Sequence, residues 1–190
     1  MSAIILCWAA VQLRRGKRQR LAVEAIVDSG GSVGYDFQLT RRHHPDRKAS
    51  SAVPAFLRLL CGVDAFHRVE YVVLSGPDVC DDLLSHLVDL PNLRRLFIAG
   101  DAVTDDGLGH LRNLTSLEDL SLRVPATDES LDQLSSLRSL RTLFLMGDSD
   151  TYRYQSKAGP VFDNDDYNSD VTRAGVEKFV VKQPRCRVSF

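Results

Sequence analysis

The sequence predicts an α/β solenoid: about four strand–helix repeats with a parallel inner sheet, entered through a small α/β N-terminal cap. Three observations predict it. Leucine supplies 26 of the 190 residues and is concentrated in the middle of the chain. Apolar positions there recur with a period of 23–24 residues. Within each period an alternating stretch gives way to leucines spaced by three, and period two marks a half-buried strand while a period of three to four marks a helical turn.

Val69, Leu93, Leu117 and Leu140 open four lines. Each line stays apolar three and five residues on, at Val72 and Leu74, Leu96 and Ile98, Leu120 and Leu122, and Leu143 and Leu145. These alternating positions predict four parallel strands starting near residues 71, 95, 119 and 142. A turn then leads to Val79-Cys80-Asp81-Asp82, Val103-Thr104-Asp105-Asp106, Ala126-Thr127-Asp128-Glu129 and, after an insertion, Val171-Thr172-Arg173-Ala174. A threonine oxygen here can cap the free amides of a first helical turn. The acids that follow suit the positive end of the helix dipole. Leu84, Leu87 and Leu90, then Leu108, Leu111 and Leu114, then Leu131, Leu134 and Leu137 supply the apolar side of each short helix. Neither strand nor helix can bury its apolar side alone, so the lines must stack on one another as a right-handed solenoid.

With these residues in register, the chain resembles the leucine-rich repeat family. Leu93 to Leu114 follows L-x-x-L-x-L and then V-T-D-x-G-L-x-x-L-x-x-L closely, whereas the first line has Cys80 in place of Thr and Leu83 in place of Gly. The stretch from Arg18 through Gly30-Gly31 to Phe37, and the tail from Gly175 to Phe190, resemble the lead-in and closing repeat of short bacterial leucine-rich repeat proteins of the planctomycete type. That resemblance implies a membrane anchor, a basic helix, a Gly-Gly turn and a strand ahead of the repeats. It implies little about activity.

The organisation that follows has three parts: an apolar and basic N-terminal segment at 1–17, the cap at 18–66, and the repeats at 67–190 with an insertion at 149–170 and a closing repeat. In the cap, Leu21, Ala22, Ala25 and Ile26 predict a helix, Val33, Tyr35 and Phe37 a strand, and Pro54 to Leu60 a second short helix. Residues 40–51 are polar and turn-rich. Ala3 to Leu13 is apolar over 11 residues, about half of what a membrane-spanning helix needs. Arg14, Arg15, Lys17, Arg18 and Arg20 follow it, as on the cytoplasmic flank of a membrane segment. Two readings stand: half of an anchor whose start lies upstream, or a short lead-in lying on a membrane surface through those five basic residues. The expected location is accordingly cytoplasmic or membrane-associated.

Composition narrows the chemistry. With 44% hydrophobic and 26% charged residues and a net charge of −1, the chain can bury a core and lacks the basicity of a dedicated nucleic-acid binder. Cys7, Cys61, Cys80 and Cys186 are widely spaced, which favours free buried thiols over disulfides. Gly30-Gly31-Ser32-Val33-Gly34 fits the nucleophile-elbow pattern, but that chemistry needs a strand before the serine and a helix after it, and here the order is reversed. Asp163 to Asp170 resembles the front of a calcium loop, yet its sixth and twelfth positions are Asn168 and Ala174 rather than Gly and Glu. His86 and His110 occupy equivalent repeat positions without a third ligand. His43-His44 lies in a basic loop suited to solvent. No catalytic, cofactor-binding or metal-ligating set is assigned.

The residues between the buried strand positions should face the concave side. They are Tyr71, Val73 and Ser75, then Arg95, Phe97 and Ala99, then Asp119, Ser121 and Arg123, and finally Thr142, Phe144 and Met146. Aromatic anchors ringed by Arg and Asp are what a protein-binding patch requires, unless Tyr152, Tyr154 and Phe162 of the insertion cover them. The expected function is a non-enzymatic protein–protein interaction module, monomeric, with another protein as partner. The alternative is a membrane-tethered scaffold.

Overall fold

The computed structural model describes residues 2–38, 67–146 and 171–189. The helix expected at Pro54 to Leu60, the loop at 40–51, Cys61 and the insertion, with its calcium-like stretch and its aromatics, lie outside the described residues. A helix α1 (Ser2–Asp28) leads to β1 (Ser32–Tyr35). Then come β2 (Val69–Ser75), α2 (Asp81–Ser85), β3 (Arg95–Ala99), α3 (Asp105–Gly109), β4 (Asp119–Arg123), α4 (Asp128–Leu134), β5 (Thr142–Leu145), α5 (Arg173–Lys182) and β6 (Arg187–Ser189). The strands form one sheet in chain order, parallel from β2 to β6, with β1 antiparallel on β2. This is an α/β architecture with a mostly parallel six-stranded sheet and, among the described residues, five α-helices.

The apolar positions read from the sequence line one interior. Val69, Leu93, Leu117 and Leu140 are buried, as are Val72, Leu96, Leu120 and Leu143 and the helical leucines from Leu84 to Leu137. Burial of each such side chain contributes ~1.5–3 kcal/mol. The leucine spacing of three has a local cause: α2 and α3 are only five residues long, and each continues into a 3-10 turn, His86–Asp89 and His110–Asn113. At three residues per turn, side chains three apart point the same way.

At the N-terminal side, α1 runs without interruption through the basic cluster into the cap, so position 17 is not an element boundary. It packs through Ala22 and Ile26 in its C-terminal half. Gly30 ends it with φ +79°, a left-handed conformation suited to glycine. The next residue, Gly31, has no room for a Cβ, which would lie 2.8 Å from the Ile26 carbonyl oxygen and 2.9 Å from that of Val73. The strand stops at Tyr35 instead of reaching Phe37. There Asp36 Oδ1 accepts from the Phe37 amide at 2.8 Å and sits 2.8 Å from His67 Nδ1, closing a 3-10 turn over Asp36–Gln38. Two buried glutamines mark the two sides of the stack: Gln19 Nε2 donates to the His67 carbonyl at 2.8 Å, and Gln183 Nε2 to that of Ser135 at 2.7 Å.

The threonines ahead of the helices do more than cap. Thr127 accepts from Glu129 N and Thr172 from Gly175 N, but Thr104 caps nothing. What all three share is a donor hydroxyl aimed at the first helical acid of the preceding unit. Thr104 Oγ1 donates to Asp81 at 2.6 Å, Thr127 Oγ1 to Asp105 at 2.7 Å, and Thr172 Oγ1 to Asp128 at 2.7 Å. The Thr104 and Thr172 amides donate to the same carboxylates. A Cβ on Gly107 would overlap Asp81 Oδ1, and one on Gly175 would overlap Asp128 Oδ1. At the corresponding place against Asp105 stands Ser130, fully buried, whose hydroxyl donates to that carboxylate. The departures in the first line now have a reason. Among the described residues no acid of this row precedes Cys80 and Leu83, so none calls for a Thr or a Gly there. Arg173 likewise replaces Asp where no later threonine of the row follows among the described residues.

This ladder makes a signed prediction. Gly107→Ala should cost about 1–3 kcal/mol, because the new methyl displaces the Asp81 carboxylate from both Thr104 donors. In an Asp81→Ala background the same change should be neutral or stabilising, since Ala exceeds Gly in helix propensity by up to ~1 kcal/mol. Urea unfolding of the double-mutant cycle measures this, and additive effects would remove the ladder as the cause.

Candidate functional site

The side of the sheet turned away from the helices is floored by the residues between the buried positions. The strand register sorts them into rows. Tyr71, Arg95, Asp119 and Thr142 pair across β2 to β5, and Arg187 continues the row on β6. Val73, Phe97, Ser121, Phe144 and Ser189 form the next row, with Ser32 of β1 opposite Val73. Ser75, Ala99 and Arg123 form a third, and Met146 follows β5 half-buried. The twelve residues that the sequence puts on this face lie in these rows, but one expectation is corrected: Ala99 is buried, not open to a partner. Ala99, which alternation places on the same face, is 2% exposed. Its methyl is shorter than the Ser75 and Arg123 side chains on either side, so it lies below the surface they make.

Exposure along the middle row follows the size of the neighbours. Phe97 is half-buried between Val73 and Ser121. Phe144 stands between Ser121 and Ser189 and is 37% exposed. At a strand spacing of about 4.8 Å the two rings are roughly 10 Å apart, with a serine between them. Tyr71 lies over Gly34 of β1, where a Cβ would come within 3.4 Å of the Tyr71 ring. Arg95 Nε pairs with Asp119 Oδ2 at 3.3 Å, so two of the charges on the floor are set against each other.

Just outside the floor, at the N-terminal ends of the strands, the charges alternate as Glu70, Arg94, Glu118 and Arg141. Arg94 donates to Glu118 Oε1 through Nε at 3.0 Å and Nη2 at 2.5 Å, and Arg141 stands 3.9 Å from the other oxygen. The hydrogen bond to Glu118, and then its charge, push the Arg94 guanidinium further up from its ordinary value. A groove of about 340 Å³ runs between Glu70, Arg94, Glu118, Ser116 and Ser139. Its charges answer one another. The alternation is visible in the sequence at a period of 23–24 residues, although sequence reasoning passed over it. It also missed β6, whose three residues are too short to show a period.

The remaining sequence motifs have placements of their own. Ser32 is exposed at the start of β1, after a helix and a glycine turn, in the order opposite to a nucleophile elbow. His86 and His110 are exposed, each opening a 3-10 turn. Among the described residues no group of three or more His, Cys, Asp or Glu is arranged to hold a metal. The cysteines correct one expectation. Cys186 is buried and Cys80 half-buried, but Cys7 is exposed, because it lies on α1 well before the part that packs against the core. Burial pushes the Cys186 thiol up to about 11, even with Arg185 and Arg187 as chain neighbours.

Cys186 should therefore be inert. At pH 8 about a thousandth of it is thiolate, so iodoacetamide should modify Cys7 and leave Cys186 until the chain unfolds. Peptide mapping by mass spectrometry checks this, and rapid native labelling of Cys186 would contradict its burial.

Compared with known proteins, the chain matches no family model and no curated protein sequence, so its function is read from the residues of this sheet face.

Proposed function

We propose that the chain is a short leucine-rich repeat solenoid that works as a non-enzymatic protein-binding module, holding its partner on the concave, outer face of the sheet. One observation carries this reading: Phe144 stands exposed between two serines, two strands from Phe97, on a face that also bears Arg95, Asp119 and Arg123. Large apolar side chains are costly to leave in water, and aromatic anchors with charged neighbours are typical of interface centres. The serine between the rings leaves a shallow gap for a partner side chain. The repeat register and the leucine core support the family reading.

Phe97→Ala combined with Phe144→Ala should weaken partner capture by the full chain at least tenfold, about 1.4 kcal/mol, with little change in melting temperature. Lower melting with unchanged capture would mean that the two rings serve the fold. Unchanged melting and unchanged capture would remove the row from the binding surface.

A second reading rests on α1. Arg14, Arg15, Lys17, Arg18 and Arg20 are all exposed on it, Arg20 in an ion pair with Glu24, and this basic stretch supports attachment to an anionic surface. No helix among the described residues is long and apolar enough to cross a membrane. Under this reading the full chain should float with phosphatidylserine vesicles at low salt and be released as salt rises. Equal flotation with neutral phosphatidylcholine vesicles would rule out attachment by charge.

A further inference from the structure

The alternation of charge at the strand starts breaks at one corner of the sheet. After Glu70, Arg94, Glu118 and Arg141, the next strand has the buried Cys186 in the equivalent place, with exposed Arg185 and Arg187 on either side of it. The Arg187 amide donates to the Arg141 carbonyl at 2.8 Å, so Arg141, Arg185 and Arg187 stand at the starts of the neighbouring strands β5 and β6. Arg138 is exposed in the turn before β5. Among the described residues the one carboxylate in ion-pair range of this group is Glu118, 3.9 Å from Arg141 and already bonded to Arg94. Beside the cluster lies the most exposed aromatic of the face, since Thr142 pairs with Arg187 and Phe144 with Ser189.

Resting on the reading of the sheet face as a protein-binding surface, we propose that this corner takes an acidic segment of the partner. Its Asp or Glu carboxylates sit against Arg141, Arg185 and Arg187, and one of its apolar side chains sits on Phe144. Guanidinium forks match carboxylates in geometry as well as charge. The patch spans only two strands, and exposed Asp78 and Asp101 stand beyond the opposite strand ends. The patch is too short to follow the phosphates of a long nucleic acid. A short acidic peptide fits within it.

Fluorescence anisotropy of the full chain tests this with three labelled probes: a short Asp/Glu-rich peptide with a central leucine, its Asn/Gln counterpart, and a single-stranded oligonucleotide of similar length. The acidic peptide should bind at least tenfold tighter than its neutral counterpart, and more weakly as salt rises. Arg185→Gln with Arg187→Gln should lower its affinity at least tenfold. The charge-matched pair Arg112→Gln with Lys178→Gln, both exposed and away from the patch, should leave it unchanged. Equal binding of the two peptides, no binding of the acidic one, or tighter binding of the oligonucleotide would overturn the proposal. So would acidic-peptide binding that emerges only when Asp163, Asp165, Asp166 and Asp170 are changed to Asn, which would give the patch to the chain's own acidic stretch. If Phe97→Ala with Phe144→Ala abolishes partner capture while the Arg185 and Arg187 changes do nothing, the sheet-face reading stands and the acidic-segment inference falls alone.

Discussion

Every strand of this sheet depends on the unit next to it, because a five-residue strand and a five-residue helix enclose too little volume to bury their own leucines. The register between neighbours is therefore the constraint from which the rest follows. It is held twice. On the strand side the parallel ladder pairs Leu96 with Leu120 and Leu120 with Leu143. On the helix side the carboxylates of Asp81, Asp105 and Asp128 reach across to the threonine of the following unit. A slip of one residue would turn the buried leucines to the open face and part each acid from its threonine. The two devices fail together, which makes the register cooperative.

Much of this is legible in the amino-acid sequence. The strands near 71, 95, 119 and 142, their parallel sense and the buried leucine positions all follow from a spacing that repeats too faithfully to be accidental. What sequence reasoning missed was contact between units. A threonine followed by an acid looks like a helix cap within one line. Only the stacking shows that Thr104 answers Asp81, twenty-three residues earlier. Gly107 reads in the sequence as a family feature, and its cause is the Asp81 carboxylate that the stacking sets against it. Phe37 falls out of its strand because the Asp36 carboxylate captures the Phe37 amide, a local competition that alternation cannot reveal.

The candidate site is legible in membership and less so in weight. Alternation puts the right side chains on one face, but it assigns Phe97 and Phe144 equal exposure. Their neighbours decide otherwise: valine and serine for one, two serines for the other. The arginine corner depends on β6, which the sequence shows only as a short Arg-Cys-Arg-Val run.

The acid–threonine row also has a direction. Each interior unit presents an acceptor to the unit after it and a donor to the unit before it. The first unit of the row has Asp81 but no threonine, and the last has Thr172 but Arg173 in place of an acid. The units are thus not interchangeable parts: an interior unit can follow another interior unit, whereas the first and last cannot trade places without leaving a carboxylate or a hydroxyl unanswered. Among the described residues, assembly order is written into the side chains as a grammar: a word with an acid and no threonine, words with both, and a word with a threonine and no acid.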